Sequence, residues 1–207
     1  MSHDHPHRHP PQVDHPEPTS HYEWLGVALN DLLIETGLYT ADELREKITE
    51  VEAVEPSTHG ARVVARAWVD EDYRARLLTD ANTAVEELGS DSAATDLTVL
   101  ENTPRIHNVV VCTLCSCYPR TLLGRPPTWY KSGAYRSRLV REPRTVLSEF
   151  GTMLPDDVQV RVHDSTAELR YLVLPLRPYG TDGWTEERLA ELVTRDSMIG
   201  VTTASTP

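Results

Sequence analysis

The chain has 207 residues and a formal net charge of −12, with 20 basic side chains against 32 acidic ones. An acidic surface repels phosphate, so the composition argues against nucleic-acid binding. No apolar run approaches the roughly 20 residues that cross a bilayer, and the first residues carry no apolar signal core. We therefore expect a cytoplasmic protein, in a compartment that keeps thiols reduced.

Residues 1–20 predict a disordered tail. Six of the nine histidines lie within residues 1–21, and five prolines lie among the first eighteen residues. Such a segment buries too little apolar surface to offset the entropy lost on ordering. Capture of a metal by the histidines is the alternative interpretation.

Residues 21–90 show the periodicity of amphipathic helices. The four predicted helices cover residues 22–36, 40–54, 60–69 and 70–88. Gly37 is a plausible stop for the first helix. Thr40 and Glu43 form a capping box at the start of the second. Asp70 is a good N-cap for the fourth.

Residues 91–207 alternate short strands with short helices. The predicted strands cover residues 97–100, 108–112, 158–163 and 170–174, and the helical segments cover 125–131, 134–140, 143–150 and a stretch from Thr185. The predicted fold class is therefore α+β, with a helical N-terminal arm followed by a small mixed α/β layered domain. Residues 1–20 would be the tail, 21–90 the helical region and 91–207 the metal-binding catalytic domain.

The only three cysteines, Cys112, Cys115 and Cys117, lie within six consecutive residues, which we call the cysteine loop (residues 112–117). Such crowded cysteines cannot close useful disulfide loops. Three neighbouring thiolates repel each other unless a cation neutralises them. Structural zinc and the common iron–sulfur clusters each take four ligands, whereas the three cysteines of the loop supply only three.

The spacing of Cys115 and Cys117 permits another donor set. An ion held by both sulfurs lies close to the backbone, so the amide nitrogens of Ser116 and Cys117 can join the three sulfurs. Five donors leave an octahedral ion one open position, as in a catalytic site. Deprotonated amides suit Co(III) or Fe(III) more than zinc. A zinc-binding or redox-sensing module without catalysis stays open as an alternative.

The loop sequence VCTLCSCYP resembles the claw-shaped metal site of the nitrile hydratase α subunit family. The resemblance extends to the segments HNVVV, PPTWYK, YRSR, REPR, VLSEFG and TRDSMIG, and to GARVVARAWV in the helical half. It covers roughly residues 22–201. The thiocyanate hydrolase γ subunit belongs to a sister family with the same cysteine pattern.

The resemblance implies hydration of a nitrile to an amide at a non-corrin Co(III) centre, because members with threonine at the position of Thr113 are typically cobalt enzymes. Cys112 would stay a thiolate, Cys115 would become a sulfinic acid and Cys117 a sulfenic acid. The Cys117 oxygen would act as nucleophile or as base for water, and both routes stay open. Glu87 resembles a residue that hydrogen-bonds near this site; a solvated helix glutamate is the alternative.

The resemblance also implies protein partners. A β subunit, present as one chain or as two, would supply arginines that hydrogen-bond the oxidised cysteines. A dedicated activator protein would load the cobalt. The α chain alone would then be an incomplete enzyme.

Arg120 departs from the family pattern, since most nitrile hydratases carry tryptophan after the Tyr118-Pro119 pair. An arginine beside the open metal position suits a polar or anionic substrate. A side chain that turns outward, or that pairs with a carboxylate across a subunit interface, is the alternative. Two substrates therefore stay open: a polar or heterocyclic nitrile, and the thiocyanate ion of the sister family.

Overall fold

The computed structural model describes residues 20–44, 47, 57–90, 95–114 and 117–207. The chain divides into two compact units, Met1–Ala53 and Val54–Pro207. The predicted tail, apart from its last residue, and the predicted end of the second helix lie outside the described residues. Within the described ranges, every helix is too short or too polar to cross a membrane.

The first unit contains helix α1, His21–Glu35, close to the predicted bounds. Gly37 follows it with a φ of 71°, so the predicted glycine stop is confirmed. The predicted capping box is also present. The amide of Thr40 donates to the Glu43 carboxylate at 2.7 Å, and the Glu43 amide donates to Thr40 Oγ1 at 3.1 Å.

The second unit contains nine helices and four strands among its described residues. In chain order they are α2 (Ser57–Val69), α3 (Glu71–Thr79), α4 (Ala81–Glu86), β1 (Asp96–Glu101), β2 (Ile106–Val111), α5 (Arg120–Leu123), α6 (Thr128–Lys131), α7 (Gly133–Leu139), α8 (Pro143–Glu149), β3 (Gln159–Asp164), β4 (Leu169–Leu174), α9 (Glu186–Ala190) and α10 (Arg195–Ile199). The short helices α5 and α10 were not predicted from the periodicity.

The prediction of one helix over residues 70–88 is wrong. The segment forms two helices, α3 and α4, which meet at Asp80 in a non-helical conformation with φ −141° and ψ 85°. The Asp80 carboxylate accepts hydrogen bonds from the amide and the hydroxyl of Thr83, at 3.2 and 2.8 Å. Asp80 therefore caps α4, as Asp70 caps α3 by accepting from the Tyr73 amide at 2.9 Å.

The four strands form two parallel pairs, β1 with β4 and β2 with β3. Val111 pairs with Asp164 at the carboxyl ends of β2 and β3, so both strands end at the same edge. Helix α2 packs against α5 and α9, while α3 and α4 pack against β1. This compact unit includes residues on both sides of residue 90. The division of the chain into a helical region 21–90 and a catalytic domain 91–207 stays a prediction.

Strand β2 is tied to its neighbours by a network of buried and half-buried polar side chains. His107 Nε2 donates to the carbonyl of Gly200 at 2.7 Å. The backbone amide of Asn108 donates to Asn102 Oδ1 at 2.7 Å, and His163 Nε2 donates to the side-chain oxygen Oδ1 of Asn108 at 2.9 Å. These contacts fix the strand that leads directly into the cysteine loop.

Candidate metal centre

The cysteine loop begins at the carboxyl end of β2 and ends shortly before α5. Cys112 is fully buried and Cys117 is 9% exposed. Cys115 and Ser116 lie outside the described residues, so the structure places the two ends of the loop. Ligand sites in α/β sheets commonly lie at the carboxyl ends of parallel strands, as this loop does.

Buried tyrosines hold the backbone on both sides of the loop. The Tyr135 hydroxyl donates to the carbonyl of Val110 at 2.7 Å, in the strand just before the loop. The Tyr130 hydroxyl donates to the carbonyl of Cys117 at 3.0 Å. Both tyrosines belong to the hydrophobic core. The strand before the loop and the last residue of the loop are therefore attached to the packed interior.

The ionisation of the Tyr130 phenol is coupled to both described cysteines of the loop. Burial raises the pKa of Tyr130 well above its usual value, and nearby Cys112 and Cys117 raise it further. A negative charge on either sulfur opposes a second one on the phenol.

These residues fit a metal that takes soft sulfur donors. Both described cysteine side chains of the loop are buried, and a buried thiolate is costly unless a cation neutralises it. Among the described residues, no three His, Cys, Asp or Glu side chains form a group that could hold an ion, and Cys115, the third cysteine of the loop, lies outside those residues. The cysteine loop is therefore our candidate metal centre.

Thr113, the second residue of the loop, contacts two charged side chains. Its amide and hydroxyl donate to the two Asp164 carboxylate oxygens at 2.9 and 2.6 Å. Its carbonyl accepts from Arg136 Nη1 at 3.5 Å. The sequence alone did not point to Asp164, because its place beside Thr113 depends on the parallel pairing of β2 with β3.

Arg120 is the first residue of α5, three positions after Cys117, and its side chain is exposed. Its amide donates to the carbonyl of Tyr118 at 2.9 Å. No carboxylate in the described part of the chain forms an ion pair with its guanidinium. The side chain can therefore meet an incoming anion or a partner protein.

Glu87 follows α4 and forms a two-pronged ion pair with Arg76, with nitrogen–oxygen distances of 3.1 and 3.0 Å. Hydrogen bonding from Arg76 lowers the pKa of the Glu87 carboxyl. The hydrogen bonds described for Glu87 do not join it to residues 112–114 or 117. A role for Glu87 near the cysteine loop stays a prediction.

Comparison with known proteins shows which family has this fold. A sequence profile described as "Nitrile hydratase, alpha chain" matches residues 20–202. The chain is 52% identical over 181 residues to the low-molecular weight cobalt-containing nitrile hydratase subunit alpha of Rhodococcus rhodochrous, covering 87% of each chain. It is 48% identical over 197 residues to the thiocyanate hydrolase subunit gamma of Thiobacillus thioparus, covering 89% of this chain and 81% of that protein.

A solved structure agrees with the sequence comparison. A double mutant of the Fe-type nitrile hydratase from Comamonas testosteroni Ni1 matches with a TM-score of 0.83 at 44% identity, covering 90% of this chain and 91% of that one. Fold and sequence thus place the chain among α+β proteins with helices around small parallel sheets. Within that class, it belongs to the nitrile hydratase alpha-chain family.

Proposed function

We propose that this chain is the metal-bearing α subunit of a cobalt-type nitrile hydratase, which converts a nitrile to the corresponding amide. The observation that carries the proposal is the burial of Cys112 and Cys117 at the two ends of the cysteine loop, which directly follows β2. The 52% identity to a protein named as a cobalt-containing nitrile hydratase subunit supports the choice of metal and reaction.

The proposed metal donors are the sulfurs of Cys112, Cys115 and Cys117 and the amide nitrogens of Ser116 and Cys117. A bound trivalent cobalt ion supplies Lewis acidity toward the nitrile. In the proposal, Cys115 is a sulfinic acid and Cys117 a sulfenic acid. The Cys117 oxygen attacks the nitrile carbon or takes a proton from the attacking water, while Tyr130 holds the backbone of that residue in place.

A second subunit completes the proposed enzyme. The similar proteins from Rhodococcus and Thiobacillus are both named as subunits, which supports a heteromeric assembly. A β subunit would supply arginines to the oxidised cysteines, because charge-assisted hydrogen bonds stabilise such anionic groups. An activator protein would deliver the cobalt.

The proposal is tested on the full chain purified with its partner subunit from cobalt-supplemented cells. We expect one cobalt per chain, a cysteine-loop peptide heavier by three oxygen atoms, and conversion of nitriles to amides. Two oxygens belong to Cys115 and one to Cys117. Zinc bound to unmodified thiols, with no nitrile turnover, would support the non-enzymatic module instead.

Thiocyanate hydrolysis is the second candidate function, and exposed Arg120 is the observation that favours it. A fixed positive charge beside the loop would attract a small anion more than a neutral nitrile. The 48% identity to a protein named as a thiocyanate hydrolase subunit is consistent with this. Assays of thiocyanate and several neutral nitriles side by side on the assembled protein separate the two candidates.

Arg120→Gln sharpens that comparison. If thiocyanate is the substrate, the variant loses about tenfold or more in kcat/KM on the anion, since a charge-assisted contact contributes roughly 1.5–3 kcal/mol. Turnover of a neutral nitrile would change far less. Lys131→Gln, which removes another exposed positive charge from the same segment, is the matched control. Equal losses in both variants would assign the effect to general surface charge rather than to Arg120.

A further inference from the structure

Two buried tyrosine side chains hold the cysteine loop at its two ends. The Tyr135 hydroxyl donates to the carbonyl of Val110 at 2.7 Å, two residues before Cys112. The Tyr130 hydroxyl donates to the carbonyl of Cys117, the last residue of the loop, at 3.0 Å. Both acceptors are backbone groups, so each hydrogen bond fixes the path of the chain where it enters or leaves the loop. We call Tyr130 and Tyr135 the tyrosine clamp.

A short hydrogen-bonded segment supplies both tyrosines. Tyr130 lies in α6 and Tyr135 lies in α7. Ser132, between the two helices, donates from its hydroxyl to the carbonyl of Trp129 at 2.8 Å and accepts from the Tyr135 amide at 3.1 Å. Ser132 thus caps α7 and joins it to α6. The two helices therefore keep a fixed relation, and so do the tyrosines that they carry.

Ring packing holds the tyrosine clamp in the core. Tyr130 is 1% exposed and Tyr135 is 5% exposed, and their ring centroids lie 5.8 Å apart. Trp129 packs against both rings, at centroid distances of 6.0 and 4.8 Å, and Phe150 packs against Trp129 at 4.7 Å. Closely packed aromatic side chains have little freedom to change rotamer. The core therefore sets the positions of both hydroxyls.

We propose that the tyrosine clamp sets the separation of the two ends of the cysteine loop and so positions the metal donors; this inference rests on the proposed function. Cys112 and Cys117 are the first and last of the proposed donor residues. Each tyrosine acts through a backbone carbonyl, so both are positioning residues. Without either hydrogen bond, one end of the loop moves more freely, and ion binding must then restrict it at a cost in conformational entropy. Groups that orient metal ligands from outside typically contribute about 10- to 100-fold in metal affinity or activity.

The test uses Tyr130→Phe and Tyr135→Phe, singly and together, in the full chain purified with its partner subunit from cobalt-supplemented cells. Each substitution removes one hydroxyl and keeps the ring, so the aromatic packing is preserved. We measure cobalt per chain, the sulfur-to-cobalt charge-transfer absorption band and the midpoint of thermal unfolding. In each single variant we expect cobalt content to fall by half or more, and the band of the remaining centres to shift or broaden.

Tyr73→Phe is the matched control. Tyr73 is 2% exposed, and its hydroxyl also donates to a backbone carbonyl, that of Ala84 at 3.0 Å. The substitution therefore removes the same kind of buried hydrogen bond from a contact between α3 and α4 instead of from the cysteine loop. We expect its unfolding midpoint to fall about as much as in the clamp variants, while cobalt content and absorption band match those of the parent protein.

The double variant tests whether the two tyrosines act as one unit. A clamp needs both of its ends, so release of either end already frees the separation of the loop ends. If each single variant keeps about half of the parent cobalt, independent effects would leave about a quarter in the double variant, whereas a clamp would leave about half. A remainder near one quarter would contradict the clamp.

The outcomes separate this inference from the proposed function. A parent protein without cobalt would contradict the proposed function. A parent with a full cobalt complement, together with clamp variants that match Tyr73→Phe in cobalt content and absorption band, would contradict only the role of the tyrosine clamp. In that case the two hydroxyls would stabilise the fold without positioning the metal donors.

Discussion

Gly200 determines how closely the end of α10 approaches strand β2. Its φ is 90°, and a Cβ atom built there would lie 2.1 Å from the Asn108 carbonyl oxygen and 2.9 Å from Val109 Cα. Both contacts are with backbone, which cannot rotate away as a flexible side chain can. A glycine at this position therefore allows His107 to reach the Gly200 carbonyl at 2.7 Å.

We expect Gly200→Ala to lower the free energy of unfolding by about 3 kcal/mol, from steric overlap and from the left-handed backbone together. Gly183→Ala is the control, because Gly183 has a similar φ of 74° and no atom within 4 Å of the added carbon. It should cost only about 1 kcal/mol. Urea unfolding measures the free energy of unfolding of both variants. Equal losses in Gly200→Ala and Gly183→Ala would show that the contact with β2 is unimportant.

At the scale of elements, Arg144 of helix α8 holds the turn that leads into β3. Its guanidinium donates to the carbonyls of Leu154 and Pro155 at 3.1 and 3.2 Å, and to those of Asp156 and Val158. One side chain thus donates hydrogen bonds to four carbonyl groups within residues 154–158. Strand β3 starts directly after this turn and ends at Asp164. The turn therefore also influences the position of the Asp164 carboxylate.

Arg144→Met should lower the free energy of unfolding by about 2 kcal/mol, since hydrogen bonds from a charged group contribute more than neutral ones. The methionine keeps much of the aliphatic side chain and removes the donors. Arg141→Met is the matched control, because Arg141 donates only one described hydrogen bond, to the Ser137 carbonyl at 3.0 Å. Chemical denaturation measures the unfolding midpoint of both variants. Equal midpoints for Arg144→Met and Arg141→Met would contradict this role of Arg144.

At the scale of the whole molecule, we expect buried His107 to make stability depend on pH. Burial lowers the pKa of His107 below its ordinary value of 6.5, although its hydrogen bond to Gly200 partly opposes the shift. Its Nε2 atom donates to that carbonyl, and Nδ1 lies 3.5 Å from the Asn102 side-chain amide nitrogen, also a donor. A proton added at Nδ1 would therefore point at another donor.

A histidine with a lowered pKa in the folded state contributes stability at high pH. That contribution is present at pH values above the unfolded-state pKa of His107, near 6.5. It is lost as the pH falls below this pKa, because the unfolded chain then binds more protons than the folded chain. The urea midpoint should therefore fall between about pH 8 and about pH 5.5. His107→Gln should show a flatter dependence, while His21→Gln, at an exposed position, should keep the parent slope. Parallel slopes in all three proteins would rule out His107 as the source.

The sequence by itself determined the features that depend on neighbouring residues. The glycine stop at Gly37 and the caps at Thr40 and Asp70 were predicted, because each depends on hydrogen bonds or backbone angles within four residues. The crowded cysteines likewise indicated a metal centre through their spacing alone. The break at Asp80 was missed, since an aspartate between two helical stretches fits either a helix interior or a cap.

Only the tertiary structure decided which distant residues meet at the cysteine loop. Asp164 and Thr113 are 51 residues apart, and they come together because β2 and β3 pair in parallel with one particular register. Glu87 pairs with Arg76 because α3 and α4 fold back on each other. Strand register and helix packing depend on how the whole core is filled, and no local pattern in one chain encodes that arrangement directly.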